Sequence, residues 1–476
     1  ILLFGAVVEI AWNVRENRYS LGPEGCRVLG GRFYGPSFDF EETAERPLRA
    51  DQAPAVEVTN AFGSVRVVGG DGPGVQIKLR KVVFQPTEAK ARAFADRIEL
   101  RLVDDEGRLR VGTNRDDLGR KERVGFETHL ELHVPPETEA TIRTDHGPVE
   151  TSGVARAEIR AAFDDVRVER IAGPVKIDAR DGRVEAAELG ADLTLEARHV
   201  EVEVSDLEGR GNLDVQQGRV TLRRAAGVVA KLSHSEIVAE NVEGDVEIDA
   251  RNTAATAQDV SGRVEVETSF GAIRLERIGG AVRAKAERGA VSAEEVGGTL
   301  TAEATHDSVR LDQVEGPVEV TVRHGGVTAH ALEAGARVRG ADGEVVIDDF
   351  GGPVDVEVER GAVRLNPGRP ITEVVTATVR EGGIRLEVPA GSRFELEAES
   401  RHGEIDIDAP AARVWDILVD FEDYQNWNPF VRKAHGQAIE CERITVSAQP
   451  GNGRMWTCTP RLTEVVPNRR LTWLGH

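Results

Sequence analysis

The sequence predicts an all-β chain: a single-stranded parallel β-solenoid of about 18 residues per coil, then a shorter, truncated α+β segment. Three observations lead there. Glycines recur at Gly244, Gly262, Gly280, Gly298 and Gly316 at one constant spacing, and Gly352 follows at twice that spacing. Apolar residues bracket each glycine two places before (Val242, Val260, Ile278, Val296, Val314, Phe350) and two places after (Val246, Val264, Val282, Leu300, Val318, Val354). A second half-repeat lies half a coil on, at Ile237, Ala255, Ile273, Val291, Val309, Val327, Val345 and Val363.

Each half-repeat is a short alternating run, such as Val264-Glu265-Val266-Glu267 or Ile273-Arg274-Leu275-Glu276. Period-two alternation buries one face of a strand and wets the other. So short a strand cannot bury that face alone, so each coil must stack on its neighbours. Helical arrays of the tetratricopeptide kind are excluded, because they need a 3.6-residue period and tolerate fewer glycines. Stacking also places each residue beside its equivalent one coil on, where like charges repel. One outward column reads Glu247, Glu265, Arg283, Thr301, Glu319, and the cation interrupts the acidic run.

Along the chain, residues 1–52 form an apolar N-terminal segment and a linker. The apolar run Ile1–Trp12 is shorter than the roughly 20 residues of a spanning helix. Two readings stand: the tail of a membrane segment, or a buried strand or helix docked on the solenoid's open end. Arg15, Arg18, Arg27 and Arg32 follow it, and the absence of an initiator Met suggests a fragment or a processed chain. The array begins near residue 53, with a strand pair around Val65 and Val67. Pro86–Ile98 interrupts it as a short amphipathic helix carrying Ala89, Ala93 and Phe94, and Asn114–Arg123 reads as a loop. From His146 to His402 the phase gives about 14 coils, or roughly 65 Å at the strand spacing. The repeat domain is expected to span 53–408.

The short Gly-x-Val-x-Val coils resemble the bacterial adhesin-type, or toast-rack, family of β-strand repeat proteins over about 53–408. That resemblance implies an association with the cell envelope and no settled activity.

Near Ile405 the pattern changes. Gly403–Pro410 is a strand ending in Ala-Pro, and in Ala411–Phe421 the apolar Val414, Ile417, Leu418 and Phe421 fall at helical spacing. Tyr424-Gln425-Asn426-Trp427-Asn428-Pro429-Phe430 follows, then two strand-like runs around Pro450-Gly451-Asn452-Gly453. This entry resembles the START/polyketide-cyclase (SRPBCC) superfamily over about 403–476, so 409–476 is read as a partial domain of that kind. The resemblance implies a helix-grip fold around an apolar ligand cavity, here without the remaining strands and the closing helix. Trp415, Trp427 and Trp456 are expected in its core.

Among residues able to carry chemistry, the histidines come first. His146, His199, His234, His306, His324 and His402 share one turn phase with Asp181, Gln217, Asn252, Asp342 and Arg360. A stacked column of this kind suits a transition metal in principle. The turn reading is preferred, because His, Asn and Asp are enriched at positive φ and several precede Gly. Asp164-Asp165 and Asp348-Asp349 are read as solvated turn residues rather than an acid–base pair. No Gly-x-Ser-x-Gly, P-loop, His-Glu-x-x-His or dinucleotide fingerprint occurs. The coils are expected to keep one constant length, without the projecting loops that build a catalytic cleft. Cys441 and Cys458, on facing strands, are read as free thiols.

The balance of 60 Lys+Arg against 82 Asp+Glu, net −22, excludes a nucleic-acid partner, which needs a basic footprint. The expectation is therefore a chain without catalytic, cofactor or metal site. Its role is read as a non-enzymatic envelope- or membrane-associated scaffold or adhesin-like module, offering a long acidic face to an unidentified protein or surface component. The alternative is binding or transport of a hydrophobic small ligand by the C-terminal domain when that domain is complete.

Overall fold

The computed structural model describes residues 27–29, 32–34, 36–47, 54–72, 74–105, 107–119, 124–428, 430–449 and 455–474. The chain forms two compact units, divided between Glu303 and Ala304. The readings of Ile1–Trp12 lie outside the described residues. Arg27–Leu29 and Arg32–Tyr34 pair antiparallel. No described helix is long and apolar enough to cross a membrane.

In the first unit the coils stack as parallel β-strands in register. Val264 pairs with Val282 and Ile273 with Val291, each its equivalent one full coil on. A few coils are one residue shorter, as at Val149↔Val166 and Gly211↔Val228. The repeat strands obey the alternation: Val264, Val266, Ile273 and Leu275 are buried, and Glu265 and Glu267 lie outside. Each buried Val or Leu contributes roughly 1.5–3 kcal/mol.

The motif glycines have a different cause from the turn glycines. A Cβ on Gly280 would sit 2.3 Å from the carbonyl oxygen of Gly262, so the close approach of the previous coil forbids a side chain there. Gly289 combines both constraints, with φ of 148° and a Cβ position 2.0 Å from the Gly271 oxygen.

The corners are sharper than expected. Val175–Leu189, Leu193–Gln216 and Arg219–Ser233 run as strands through a corner instead of stopping at a turn. A single left-handed residue makes the bend. One corner is a column of such residues: Arg170, Glu188, Asp206, Arg224, Asn241, Asp259, Arg277 and Glu295. The opposite corner uses Asp181, His199, Gln217, His234 and Asn252, then Gly271 and Gly289.

The N-terminal end corrects the expectation of purely parallel coils starting at 53. Ser37–Pro47, read as linker, is a strand antiparallel to Gly74–Phe84, which in turn runs antiparallel to Gly125–Val134. The inserted helix is Glu88–Ala95, but its buried residues are Ala91, Phe94 and Ala95, and Ala89 and Ala93 face solvent. It packs with Val83, Ile98, Leu118 and Phe126 into a cap over the first coils. Lys81 Nζ donates to the carbonyls of Ala95 (3.3 Å) and Ile98 (2.6 Å) at the helix C-terminus, where positive charge is favourable. The expected loop contains a second helix, Arg115–Gly119. Its Arg115 guanidinium lies 4.1 Å over the Phe126 ring and 4.5 Å over Phe62.

In the second unit the same register holds from Val309↔Val327 to Val345↔Val363. The coils then lengthen, to Val354↔Val375 and Ile384↔Ile405, so they do not all keep one length as expected. The additions carry Pro367, Pro370 and Pro389, which cannot donate to a ladder. Ile371 is buried within one of them, held by Arg393 N–H to its carbonyl (2.8 Å) and by its own N–H to Ser392 Oγ (3.0 Å).

The segment after Asp408 has a small core of Phe421, Tyr424, Ala434, Ile444 and Leu462. The tryptophans are not in it: Trp427 is 42 % and Trp456 51 % exposed, and Trp415 is half-buried. The physical reason is that the helix Ala411–Val419 buries none of its residues, so the apolar face expected to enclose them stays wet. Cys441 and Cys458 are free, and Cys441 sits in a turn at φ 68° rather than on a strand.

Candidate functional site

The histidine column comes together only in part. His199 and His234 are themselves left-handed, at φ 55° and 53°. At His146 the following Gly147 takes the positive φ instead, at 124°. His146 is stacked between Phe62 and Phe163, with ring centroids 4.5 and 4.8 Å away. His234 Nε2 accepts from Asn252 Nδ2 (3.1 Å). The His306 and His324 rings lie 5.4 Å apart, and His324 Nδ1 bonds Asp342 Oδ2 at 2.8 Å. His402 pairs in register with Glu381 on the adjacent coil. Among the described residues no three His, Cys, Asp or Glu converge as a metal cage.

The acidic pairs are also spread out. Asp164 Oδ2 accepts from Gly147 N–H (2.7 Å), while Asp165 Oδ1 accepts from Arg183 N–H (3.0 Å). Asp348 accepts from Asn366 Nδ2 (2.6 Å), and Asp349 lies 3.5 Å from Arg369. Elsewhere the wet faces are tied by charge-assisted bonds between coils. Arg277 Nε and Nη2 grip Asp259 at 2.6 and 3.0 Å, which lowers the Asp259 carboxyl below its ordinary range. His330 Nδ1 bonds Asp312 at 2.8 Å, and that bond raises the imidazole above its usual value.

One side-chain relay stands apart from these ladders. In the N-terminal cap, pairing of Val65 with Leu130 places Ser64 beside His129. Ser64 Oγ lies 2.9 Å from His129 Nδ1, and Ser64 N–H donates to the same nitrogen at 3.1 Å. His129 Nε2 is 3.2 Å from Glu127 Oε2, two residues back on the same strand face. A nitrogen that accepts a backbone N–H carries no proton, so the proton sits on Nε2 and is donated to Glu127. The side chains of His129 and Glu127 are 17 % and 12 % exposed. His129 borders a pocket of about 290 Å³ also lined by Arg66, Lys78, Arg80 and Glu131. Sequence reasoning missed this site. Ser64 and His129 are far apart in the chain, and only the inserted cap brings them together.

The family described as polyketide cyclase / dehydrase and lipid transport matches residues 398–475, in agreement with the resemblance read from the strand–Ala-Pro–helix entry. Three solved structures share similarity with the chain. A candidate cell adhesion protein from Clostridium sporogenes is 11% identical, covering 49% of this chain and 100% of its own, with a TM-score of 0.22. A candidate adhesin from Bacteroides fragilis is 12% identical, covering 77% and 97%, with a TM-score of 0.19. One from Parabacteroides merdae is 10% identical, covering 78% and 96%, with a TM-score of 0.16. No curated protein matches the chain.

Proposed function

We propose that the chain is an envelope-associated binding scaffold whose solenoid faces, rather than a cleft, meet the partner. The observation that carries this is the ladder of in-register, charge-paired coils. Asp259–Arg277, Glu267–Lys285, Asp342–Arg360 and Asp355–Arg337 each join side chains at equivalent positions of successive coils. Within each unit, stacked strands hold their side chains at a fixed spacing, and a net charge of −22 favours a cationic or polar partner. The proposed role of those faces is non-catalytic.

A second reading is favoured by one observation. Val414, Ile417, Trp427, Trp456 and Trp473 are all left exposed on the segment that matches a family described as polyketide cyclase / dehydrase and lipid transport. On this reading the activity is capture of a hydrophobic ligand. On this division of labour the binding faces belong to the solenoid up to residue 408, with the Ser37–Pro47 strand on its sheet, and ligand capture belongs to 409–476.

The test uses the full chain, fluorescently labelled, with a washed bacterial envelope fraction and with phosphatidylcholine vesicles. The scaffold reading expects retention on the envelope fraction that weakens with salt, falls on Glu265→Lys/Glu267→Lys, and survives Val414→Asp/Ile417→Asp. Capture by vesicles that is lost in Val414→Asp/Ile417→Asp and insensitive to the charge reversals would replace it with the ligand reading.

A further inference from the structure

We infer that Ser64, His129 and Glu127 form a nucleophile–base–acid relay able to cleave a small carboxylic ester. This goes beyond the binding role, and neither reading depends on the other. The elements of such a relay are a hydroxyl within reach of an unprotonated imidazole nitrogen and a carboxylate fixing the other nitrogen. Both contacts are present, at 2.9 and 3.2 Å. The ring is turned over relative to the serine-protease arrangement: here Nδ1 faces the hydroxyl and Nε2 the acid. Either nitrogen can accept the proton once the other is held.

In the proposed step, Ser64 Oγ adds to the ester carbonyl carbon as its proton passes to His129 Nδ1, which gives up the bond it accepts from Ser64 N–H, leaving the carbonyl oxygen anionic. Collapse breaks the bond to the leaving alkoxide, which takes the proton from Nδ1 and departs as an alcohol. Water then adds to the acyl-Ser64 carbonyl, giving its proton to Nδ1. Breaking the Oγ–acyl bond releases the acid and returns the proton to Ser64. Glu127 holds the imidazolium during both transfers.

Two features define the substrate and the speed. A pocket of about 290 Å³ lies at the small end of ligand sites, so the acyl group is short. The amides around the nucleophile are already committed: Gly63 N–H to His146 O, Val65 N–H to Pro148 O, and Ser64 N–H to His129. No backbone oxyanion hole remains there. Arg66, Lys78 and Arg80 line the pocket beside Glu41, Glu131 and Glu150, and ion pairs with Glu150 (3.4 Å), Glu41 (2.9 Å) and Asp39 (3.2 Å) already engage the three cations. One lost oxyanion donor costs about 10²–10³ in rate, so turnover is expected to be slow and covalent capture is the sensitive readout.

The full chain is treated with a fluorophosphonate probe, digested, and the adduct located by mass; p-nitrophenyl acetate supplies turnover. The expected result is an adduct on Ser64, absent in Ser64→Ala. It should form at least tenfold more slowly in His129→Gln and several-fold more slowly in Glu127→Gln, with far-UV spectra unchanged. If Ser64→Ala unfolds, Ser64→Cys is used, and iodoacetamide should alkylate that thiol faster with His129 present than in the Ser64→Cys/His129→Gln pair. A Ser64 adduct no more abundant than on other serines, or labelling indifferent to His129→Gln, would overturn the inference and leave the relay a hydrogen-bonded turn.

Discussion

At the residue scale, the costliest positions are the left-handed corners held by ordinary side chains. Ala331 is one, at φ 55°, where an L-residue costs roughly 1–2 kcal/mol. Glycine there removes that strain and loses about 0.5–1 kcal/mol through the unfolded state. Ala331→Gly is therefore expected to stabilise by roughly 0.5–1 kcal/mol, read as a raised Tm. Ala329→Gly, two residues back in a buried extended position, should destabilise. Equal signs for the two would refute the corner geometry. Burial makes a sharper contrast. Val266→Asp puts an unpaired charge into the dry stack and should cost more than about 4 kcal/mol. Glu267→Gln removes only an exposed pair with Lys285 and should cost less than about 1 kcal/mol in a denaturant series. NMR titration of His330 should give a value above that of an ordinary histidine, falling back towards it in Asp312→Asn.

At the element scale, what the sequence reveals follows from how local the cause is. The coil period was legible because two constraints recur in most coils: a buried pair of aliphatic residues, Ala included, and a glycine pressed against the preceding coil. The corner column Arg170–Glu295 was not legible, because only Asp206, Asn241 and Asp259 carry a turn signature, and Arg and Glu hold the other positions at the same positive φ. The Ser64–His129 contact escaped for another reason: it depends on the antiparallel insertion between Val65–Gly69 and Gly125–Val134, which no motif announces. The tryptophans were misplaced because a helical apolar stripe signals a buried face but not whether anything lies across it. That difference is measurable. Phe421 is in the small C-terminal core, and Phe421→Ala should cost about 3–5 kcal/mol. Val414→Asp and Ile417→Asp change a wet face and should leave the melting curve nearly unmoved, while reducing the binding of an apolar dye such as anilinonaphthalene sulfonate. A marked loss of stability in Ile417→Asp would mean that the helix is packed after all.

At the scale of the whole molecule, the charge inventory sets an asymmetric response to pH. Only eight of the 60 cationic side chains are Lys and the rest are Arg, which stays charged through the alkaline range. In the Arg pairs the carboxylate is the half that loses its charge first. Asp206, Asp259, Asp342 and Asp355 all have carboxyls drawn below the ordinary 3.8 by hydrogen bonds from Arg224, Arg277, Arg360 and Arg339. A folded-state value below the unfolded one means stability that is present above about pH 4 and is lost as the pH falls through the lowered values. Each pair is exposed and worth little alone, but they share one sign of response. Protonation of the 82 acidic groups also turns the net charge from −22 to strongly positive, leaving 60 Lys+Arg and 11 His without counter-charges on the chain. Both effects act in the same direction on the acid side, and neither acts between pH 7 and 10. Thermal melts followed by far-UV circular dichroism should therefore hold a nearly level Tm from pH 6 to 10 and fall steeply below about pH 4. Added salt should soften the acid fall, because it screens the repulsion among cations that remain after the pairs are gone. A stability curve symmetric about neutrality, or an acid limb indifferent to salt, would show that the interior stack alone sets stability and that the charge ladders contribute nothing to it.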